Sequence, residues 1–208
     1  MGSFLYDEIK SEVYNLTETL TYGDVILRPL LVSDSGPLWE LYEPEIFEFM
    51  LNKIESKEQL AKWLAIGIQQ MYVERTALAF VVENTDTKEI MGTTRIYGID
   101  QTNYCCEIGS TFYGKQYQRT YVNTTCKYLL LKYCFEQMGT VRVQFKTDEL
   151  NVSSQRAIER IGGIKEGILR NERIRSNGFI RNAVVYSIID SEWSEVKNKL
   201  IQLMNKYS

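Results

Sequence analysis

The sequence predicts a single α+β domain built on a mixed, mostly antiparallel sheet, and three observations predict it. Strand and helix periodicities follow one another in the order β-α-α-β-β-β-α-β-α-β-β-α. A β-α-β crossover sits among strands otherwise joined by short turns, which mixes parallel with antiparallel pairing instead of giving a doubly wound parallel sheet. No linker rich in proline or glycine divides the chain, and its 3 prolines all precede Glu45. With 208 residues, 44% hydrophobic and 25% charged, the chain has enough apolar side chains for one core without staples.

Asp24 to Leu30 alternates apolar and polar residues and reads as a strand ending at Arg28-Pro29. A helix follows, with Ser33 or Asp34 as its cap and Leu38, Leu41 and Tyr42 at helical spacing before Pro44. Ser56-Lys57-Glu58-Gln59 has the form of a capping box, after which Leu60, Trp63, Leu64, Ile68, Met71 and Tyr72 share one face of a second helix. Strands are expected over Ala77 to Glu83, Ile90 to Ile99 and Tyr104 to Phe112, the first two joined by a polar turn through Asn84 and Asp86. From Asn123 to Met138 the period is helical again, with Cys126, Leu129, Leu130, Tyr133, Cys134 and Met138 facing inward and Gly139 as the stop. Val141 to Thr147 reads as a strand, and Asn151 to Ile161 as a helix capped by Asn151 and closed by Gly162-Gly163. Asn177-Gly178 is the turn of a final hairpin. Ser191 opens a terminal amphipathic helix carrying Trp193, Val196, Leu200, Leu203 or Met204, and Tyr207.

Histidine is absent, which removes a Ser-His-Asp or Cys-His unit, a histidine base and a His-bearing zinc site. Acid-base work falls to carboxylates, tyrosine, serine, lysine, thiols or water. Cys105, Cys106, Cys126 and Cys134 form no C-x-x-C pair, so neither a zinc ribbon nor a thioredoxin-type motif is present, and no metal is expected. Adjacent Cys105 and Cys106 point to opposite faces of a strand, which suits packing better than a disulfide and favours a reducing, cytoplasmic setting. No apolar run approaches the ~20 residues that span a bilayer, so no membrane partner is expected.

The net charge of −3 argues against stable nucleic-acid binding, but the charge is unevenly spread. Asp34 to Glu55 holds six acidic residues against one basic, whereas Tyr113 to Arg181 holds thirteen basic against six acidic. That division suits an anionic cofactor opposite a cationic substrate; solvated helix faces are the alternative reading.

The strand from Tyr104 to Phe112, a polar loop and the helix from Asn123 bring a strand end and a helix N-terminus together. Such a junction binds phosphate, because free N–H groups and the helix dipole converge there. Lys115, Gln118 and Arg119 add donors. Three runs then carry a resemblance: Gln118-Arg119-Thr120-Tyr121-Val122-Asn123-Thr124, Val141 through Asp148, and Asn151-Val152-Ser153-Ser154 through Gly162. They resemble the GNAT acetyltransferase superfamily, and within it the branch of ribosomal-protein N-terminal acetyltransferases (RimJ/RimL-like). Leu27-Arg28-Pro29-Leu30 and Val185 through Trp193 resemble that branch too. The similarity thus covers 24–193 as the acetyltransferase domain, leaving 1–23 as an N-terminal arm and 194–208 as a C-terminal helix packed on the same domain.

The resemblance implies a GNAT-like sheet with splayed central strands, helices on both faces and a cleft for acetyl-CoA as co-substrate. Ser110, Thr111, Phe112 and Tyr113 would offer backbone groups to the pantetheine arm, and Gln118, Arg119, Thr120, Tyr121, Val122, Asn123 and Thr124 would hold the diphosphate. Tyr121 and Asn123 stand where the family's Q-x-x-G-x-G/A motif has small residues; a left-handed backbone suits asparagine and strains tyrosine. Asn151 and Ser154 match the N-x-x-S position facing the CoA sulfur, with Ile158 in place of a frequent tyrosine. Ser154 would protonate the leaving thiolate or donate a hydrogen bond to it, and Asn151 caps the helix. Glu107 and Glu172 are the candidate bases; strand alternation places Glu107 on one face with Cys105, Gly109 and Thr111.

The expected activity is direct acetyl transfer from acetyl-CoA to a primary amine in a ternary complex, with a protein N-terminal α-amine first. A polyamine, an amino acid or an aminoglycoside-like amine is the alternative acceptor. Non-catalytic acyl-CoA binding and docking on RNA-bearing particles through the basic half are alternatives of other classes. Specificity is expected in the two early helices and in Arg175 to Asn182, and exposed sheet edges suit a homodimer.

Overall fold

The computed structural model describes residues 18–206; most of the arm and Tyr207 lie outside them. Strands β1 (Leu20–Tyr22), β2 (Val25–Pro29), β3 (Ala77–Asn84), β4 (Ile90–Asp100), β5 (Cys105–Tyr113), β6 (Arg142–Asp148), β7 (Ile164–Ile174) and β8 (Ile180–Ile189) form one sheet in the order β1-β2-β3-β4-β5-β6-β8-β7. Only β5 and β6 run parallel; every other neighbouring pair is antiparallel. The helices are α1 (Ser35–Glu40), α2 (Pro44–Phe47), α3 (Lys57–Gln69), α4 (Tyr121–Lys132), α5 (Val152–Arg160) and α6 (Trp193–Met204). Adjacent residues of β4 show that they cover both faces. Arg95 meets Trp63 of α3, whereas Thr94 bonds Thr111, which Lys127 of α4 reaches from the other side.

Most elements fall where periodicity puts them, and the departures have local causes. The sheet begins earlier than Asp24, because Leu20–Tyr22 pairs with β2 through a turn at Gly23 (φ 56°). Neither Ser33 nor Asp34 caps α1 with its side chain. Asp34 instead accepts the Leu31 N–H and holds Arg28, which also bonds Glu83. Ser56 does cap α3, accepting the Gln59 N–H at 3.3 Å. A π-helical turn at Gln70–Glu74 then shifts the phase of α3, so Met71 is buried while Tyr72 turns to solvent. Thr120 caps α4, which therefore starts two residues before Asn123, and Gly139 (φ 65°) stops the turn that extends it. In α6 it is Met204, not Leu203, that enters the core with Trp193, Val196 and Leu200.

Burial explains the assembly. The inward residues of α4 (Cys126, Leu129, Leu130) and those of β2 to β4 (Leu27, Val81, Ile96) are all buried and form one core. All four cysteines are free, as strand packing predicts, with Cys106 against Cys134 in the core. Arg95 is an exception to apolar filling. It is 4% exposed, its guanidinium lies 4.1 Å from the Trp63 ring and donates to the Trp63 carbonyl, and burial lowers its pKa to about 10. The room for it comes from Gly67, where a Cβ would stand 2.6 Å from the guanidinium carbon.

Backbone closeness is equally strict at Gly92, opposite Tyr113, where a Cβ would lie 2.2 Å from the Phe112 carbonyl oxygen. Gly92→Ala is expected to lower unfolding free energy by roughly 2 kcal/mol or more, read from urea denaturation, because the obstacle is strand backbone that has nowhere to retreat.

Candidate active site

The parallel pair fixes the site's shape. Pairing between β5 and β6 covers only Cys105 with Arg142, Cys106 with Val143 and Glu107 with Gln144. Beyond that point β5 runs on to Tyr113 while held by β4, and β6 runs on to Asp148 while held by β8. Each strand thus keeps one partner and turns its other edge into a fork. Midway up the fork β5 bulges: Thr93 pairs with Phe112 and Arg95 with Gly109, leaving Thr94 opposite two residues, with Ser110 left-handed at φ 49°. The bulge corrects the expected alternation. Glu107 and Gly109 share a face, but Thr111 is turned to the α4 side, where its hydroxyl meets Thr94 (2.7 Å) and Lys127 (2.9 Å). Phe112 is brought round to the α3 side against Phe47 and Trp63, and Tyr113 is buried beside Cys126.

At the open end the chain turns into α4. Gln118 holds the Tyr113 carbonyl at 3.2 Å, and Thr120 accepts the Val122 N–H while donating to the Tyr117 carbonyl at 2.7 Å. The left-handed residue of this loop is Arg119 (φ 60°), so Tyr121 and Asn123 lie in the helix and bear no such strain. The Tyr121 hydroxyl is tied to Asp24 in the β1–β2 turn; burial and that carboxylate push its pKa up to about 12. Its ring is thereby anchored toward the edge hairpin. The first-turn N–H groups of a helix have no intrahelical acceptor; Thr120 caps that of Val122, so that of Asn123 remains for an anion. The Thr124 hydroxyl is committed, accepting from Arg160 of α5 at 3.1 Å.

Asn151 caps α5 by accepting the Ser154 N–H at 3.0 Å, as the sequence implies. The half-buried Ser154 hydroxyl takes no partner among the described residues. Ile158 packs into the core against Gly163. A tyrosine hydroxyl does reach this helix, from Tyr186 on β8: it bonds Glu159 (3.0 Å) and Gln155 (3.3 Å), and burial with Glu159 raises its pKa to about 12. Only its place in an alternating strand marked it in the sequence.

The two candidate bases, far apart in the chain, meet at the crotch of the fork. Lys146 Nζ stands 3.1 Å from Glu107 and 3.8 Å from Glu172. Glu107 also accepts from Tyr97 and from Gln144 (3.0 Å), and Glu172 from Arg181 (2.9 Å) and Arg173 (3.3 Å). Burial alone would raise the Glu172 pKa, yet the Arg181 hydrogen bond and charge, with Arg173 and Lys146, leave it below the usual carboxylate range. Tyr97 is driven the other way by burial and Glu107. The sequence reading missed Tyr97, Gln144, Lys146 and Arg181, which only register across β4, β5, β6 and β8 reveals.

Above the crotch, Arg175 clasps the two segments expected to set specificity. It bonds Asp148 at the end of β6 (3.0 Å) and lies between Phe179 (4.8 Å) and Phe49 (5.2 Å), while Ser176 donates to the Leu51 carbonyl. The β7–β8 hairpin is thereby fastened to the α2–α3 connection.

A fork with unpaired strand edges, a left-handed bulge and a helix N-terminus at its mouth fits an extended anionic thioester carrier, and defines an acyl-transferase architecture. A family model described as the acetyltransferase (GNAT) domain matches residues 24–164, and the chain belongs to this family. Bacillus subtilis (strain 168) YoaA, named an uncharacterized N-acetyltransferase, is 25% identical over 167 residues, covering 79% of this chain and 93% of YoaA. YdaF of the same organism, provisionally named a ribosomal N-acetyltransferase, is 30% identical over 108 residues, 52% of this chain and 58% of YdaF. Mycobacterium smegmatis RimJ in complex with CoA-disulfide matches in fold, with a TM-score of 0.75 over 90% of this chain and 95% of RimJ at 16% identity.

Tyr121→Phe, which releases the ring from Asp24, is expected to weaken acetyl-CoA binding about fivefold in calorimetric titration, the worth of roughly one hydrogen bond.

Proposed function

We propose that the chain transfers the acetyl group of acetyl-CoA directly to a primary amine, with the α-amine of a protein N-terminus as acceptor. The observation that carries the reading is the fork itself, whose β5 edge and α4 N-terminus leave donors suited to pantetheine and diphosphate. Residues 110–113 line the pantetheine arm and residues 118–124 the diphosphate, with the first-turn amides of α4 as donors. Acetyl-CoA supplies the acyl group: the amine nitrogen bonds the thioester carbon as the carbon–sulfur bond breaks, the nitrogen gives up one proton to water, and the thiolate is held by a hydrogen bond from Ser154 or takes its proton, which water then restores to the serine.

The acceptor follows from what the crotch lacks. Glu107 and Glu172 are both engaged by cations, and the chain holds no histidine. An acceptor with an appreciable neutral fraction by itself is therefore favoured: an α-amine titrates near 8, a lysine or polyamine near 10.4. Glu107, held by Tyr97, Gln144 and Lys146, orients the incoming amine, and Glu172 supports it through the shared Lys146. The name carried by YdaF supports a ribosomal protein as the bearer of that amine. A second reading, a small cationic amine, draws on the solvent-facing Glu40, Glu45 and Glu48.

Four free cysteines suit a cytoplasmic setting. The unpaired outer edge of β7, with exposed Ile164, Ile168 and Ile174, suits a second copy of the chain.

A panel of N-terminal peptides and small amines, followed by release of CoA thiol, tests the reading. Turnover is expected with peptide α-amines above polyamines and amino acids, and tight CoA binding without acetylation of any amine would replace catalysis by sensing. Ser154→Ala is expected to slow kcat on the order of tenfold and leave measurable turnover, since a thiol near pKa 8.5 departs tolerably unaided. Complete loss would make Ser154 indispensable and refute that division of labour.

A further inference from the structure

Lys127 is a feature of the fork that neither the core nor the chemistry above employs. It projects from the second turn of α4 and is only 7% exposed. Its Nζ donates to the Thr111 hydroxyl at 2.9 Å, and no carboxylate pairs with it among the described residues. An isolated charge in a protein interior is costly, and an apolar residue of similar volume fills such a place more cheaply. The position of this charge is therefore informative. Thr111 lies next to the left-handed Ser110, and its hydroxyl also contacts Thr94 (2.7 Å) and the Gly109 carbonyl (3.4 Å). Lys127 fills one lone pair of Thr111, and if Thr94 donates into the other, the threonine hydrogen is left for the Gly109 carbonyl. The Gly109 contact bears on the peptide plane that carries the Ser110 N–H.

We propose that Lys127 is a positioning residue for acyl transfer, whose ammonium, held behind the Ser110 bulge through Thr111, favours the negative charge that gathers on the thioester carbonyl oxygen at the β5 amides. This rests on the acetyl-transfer function above. In an interior that excludes water a fixed positive charge close to a developing oxyanion lowers the barrier, and its effect appears only as the bond forms. Lys127 has no part in binding either substrate.

The charge is also titratable at accessible pH. Burial lowers the Lys127 pKa to about 8, with Cys126 on the same helix pulling it slightly upward. Other ionisable groups on or against α4 have contacts of their own, Tyr121 with Asp24, Tyr128 with Tyr22, Glu136 with Lys197 and Arg160 with Thr124, while the buried Tyr113 hydroxyl has no hydrogen-bond partner among the described residues. Lys127 is charged below its pKa and neutral above it. The acceptor amine must lose its proton as pH rises, and Lys127 loses the charge that helps as pH rises further, so kcat should climb and then fall.

Steady-state acetylation of the peptide that turns over best, from pH 6 to 10, compares the wild type with Lys127→Met and Thr111→Val. Lys127→Met is expected to lower kcat roughly ten- to hundredfold, leave both KM values within about twofold and lose the falling limb. Thr111→Val, which keeps the charge and cuts its link to the bulge, is expected to lower kcat and retain the limb. Thermal melting and acetyl-CoA titration verify that each variant folds; should Lys127→Met fail to fold, an undiminished kcat in Thr111→Val overturns the proposal. A wild-type kcat and pH profile in Lys127→Met overturns it alone. Absence of turnover by the wild type overturns the acetyl-transfer reading, and this one with it.

Discussion

The fold turns on an interaction that stops. After Glu107 and Gln144 the central parallel strands cease to bond each other, while β4 and β8 continue to hold their outer edges in long antiparallel ladders. Those ladders cannot slide inward without breaking their own register, so the gap is a fixed feature of the sheet. Strand amides and carbonyls facing it still require partners, and an extended molecule with amide groups of its own is the natural one. The bulge at Ser110 completes the arrangement by turning one residue of β5 out of the regular pleat.

The crotch and the wall of the fork manage charge in opposite ways. At the crotch, Glu107, Lys146, Glu172 and Arg181 form a chain of alternating sign in which every buried charge meets its opposite. Such a network is costly to assemble and costlier to disrupt, which holds β5, β6, β7 and β8 in one mutual position. On the walls, Arg95 and Lys127 are buried with only an aromatic face, a carbonyl and a hydroxyl for company. They lie on opposite faces of the sheet, Arg95 under α3 and Lys127 under α4, so each face carries one buried cation beside the strands that form the bulge.

Much of this was legible in the residue order. Hydrophobic period placed the major strands and helices, Gly139 and Asn177-Gly178 marked their stops, and Asn151 announced the cap it makes. The motif runs identified the family. What remained hidden were events that period cannot encode. A bulge changes which face every later residue takes, so strict alternation puts Thr111 on the wrong side. The π turn after α3 did the same for Tyr72. The left-handed residue of the loop before α4 is Arg119, two positions before the tyrosine expected to suffer it. Glu107 and Glu172 stand as separate candidates in the sequence because nothing local reveals a lysine between them. Pairing register, a property of strands distant in sequence, decides each of these.

The nesting of Arg95 against α3 has a further consequence, for the history of the chain. Gly67 is tolerated in the middle of that helix only because the guanidinium needs its missing side chain, and the arginine finds room only while the glycine persists. Neither is a neutral site while the other stands: enlarging the glycine first drives a side chain into a cation, whereas trimming the arginine first leaves a void that a later alanine or serine partly refills. Divergence at this pair is therefore directional, and descendants that have lost the arginine are the ones free to strengthen the helix.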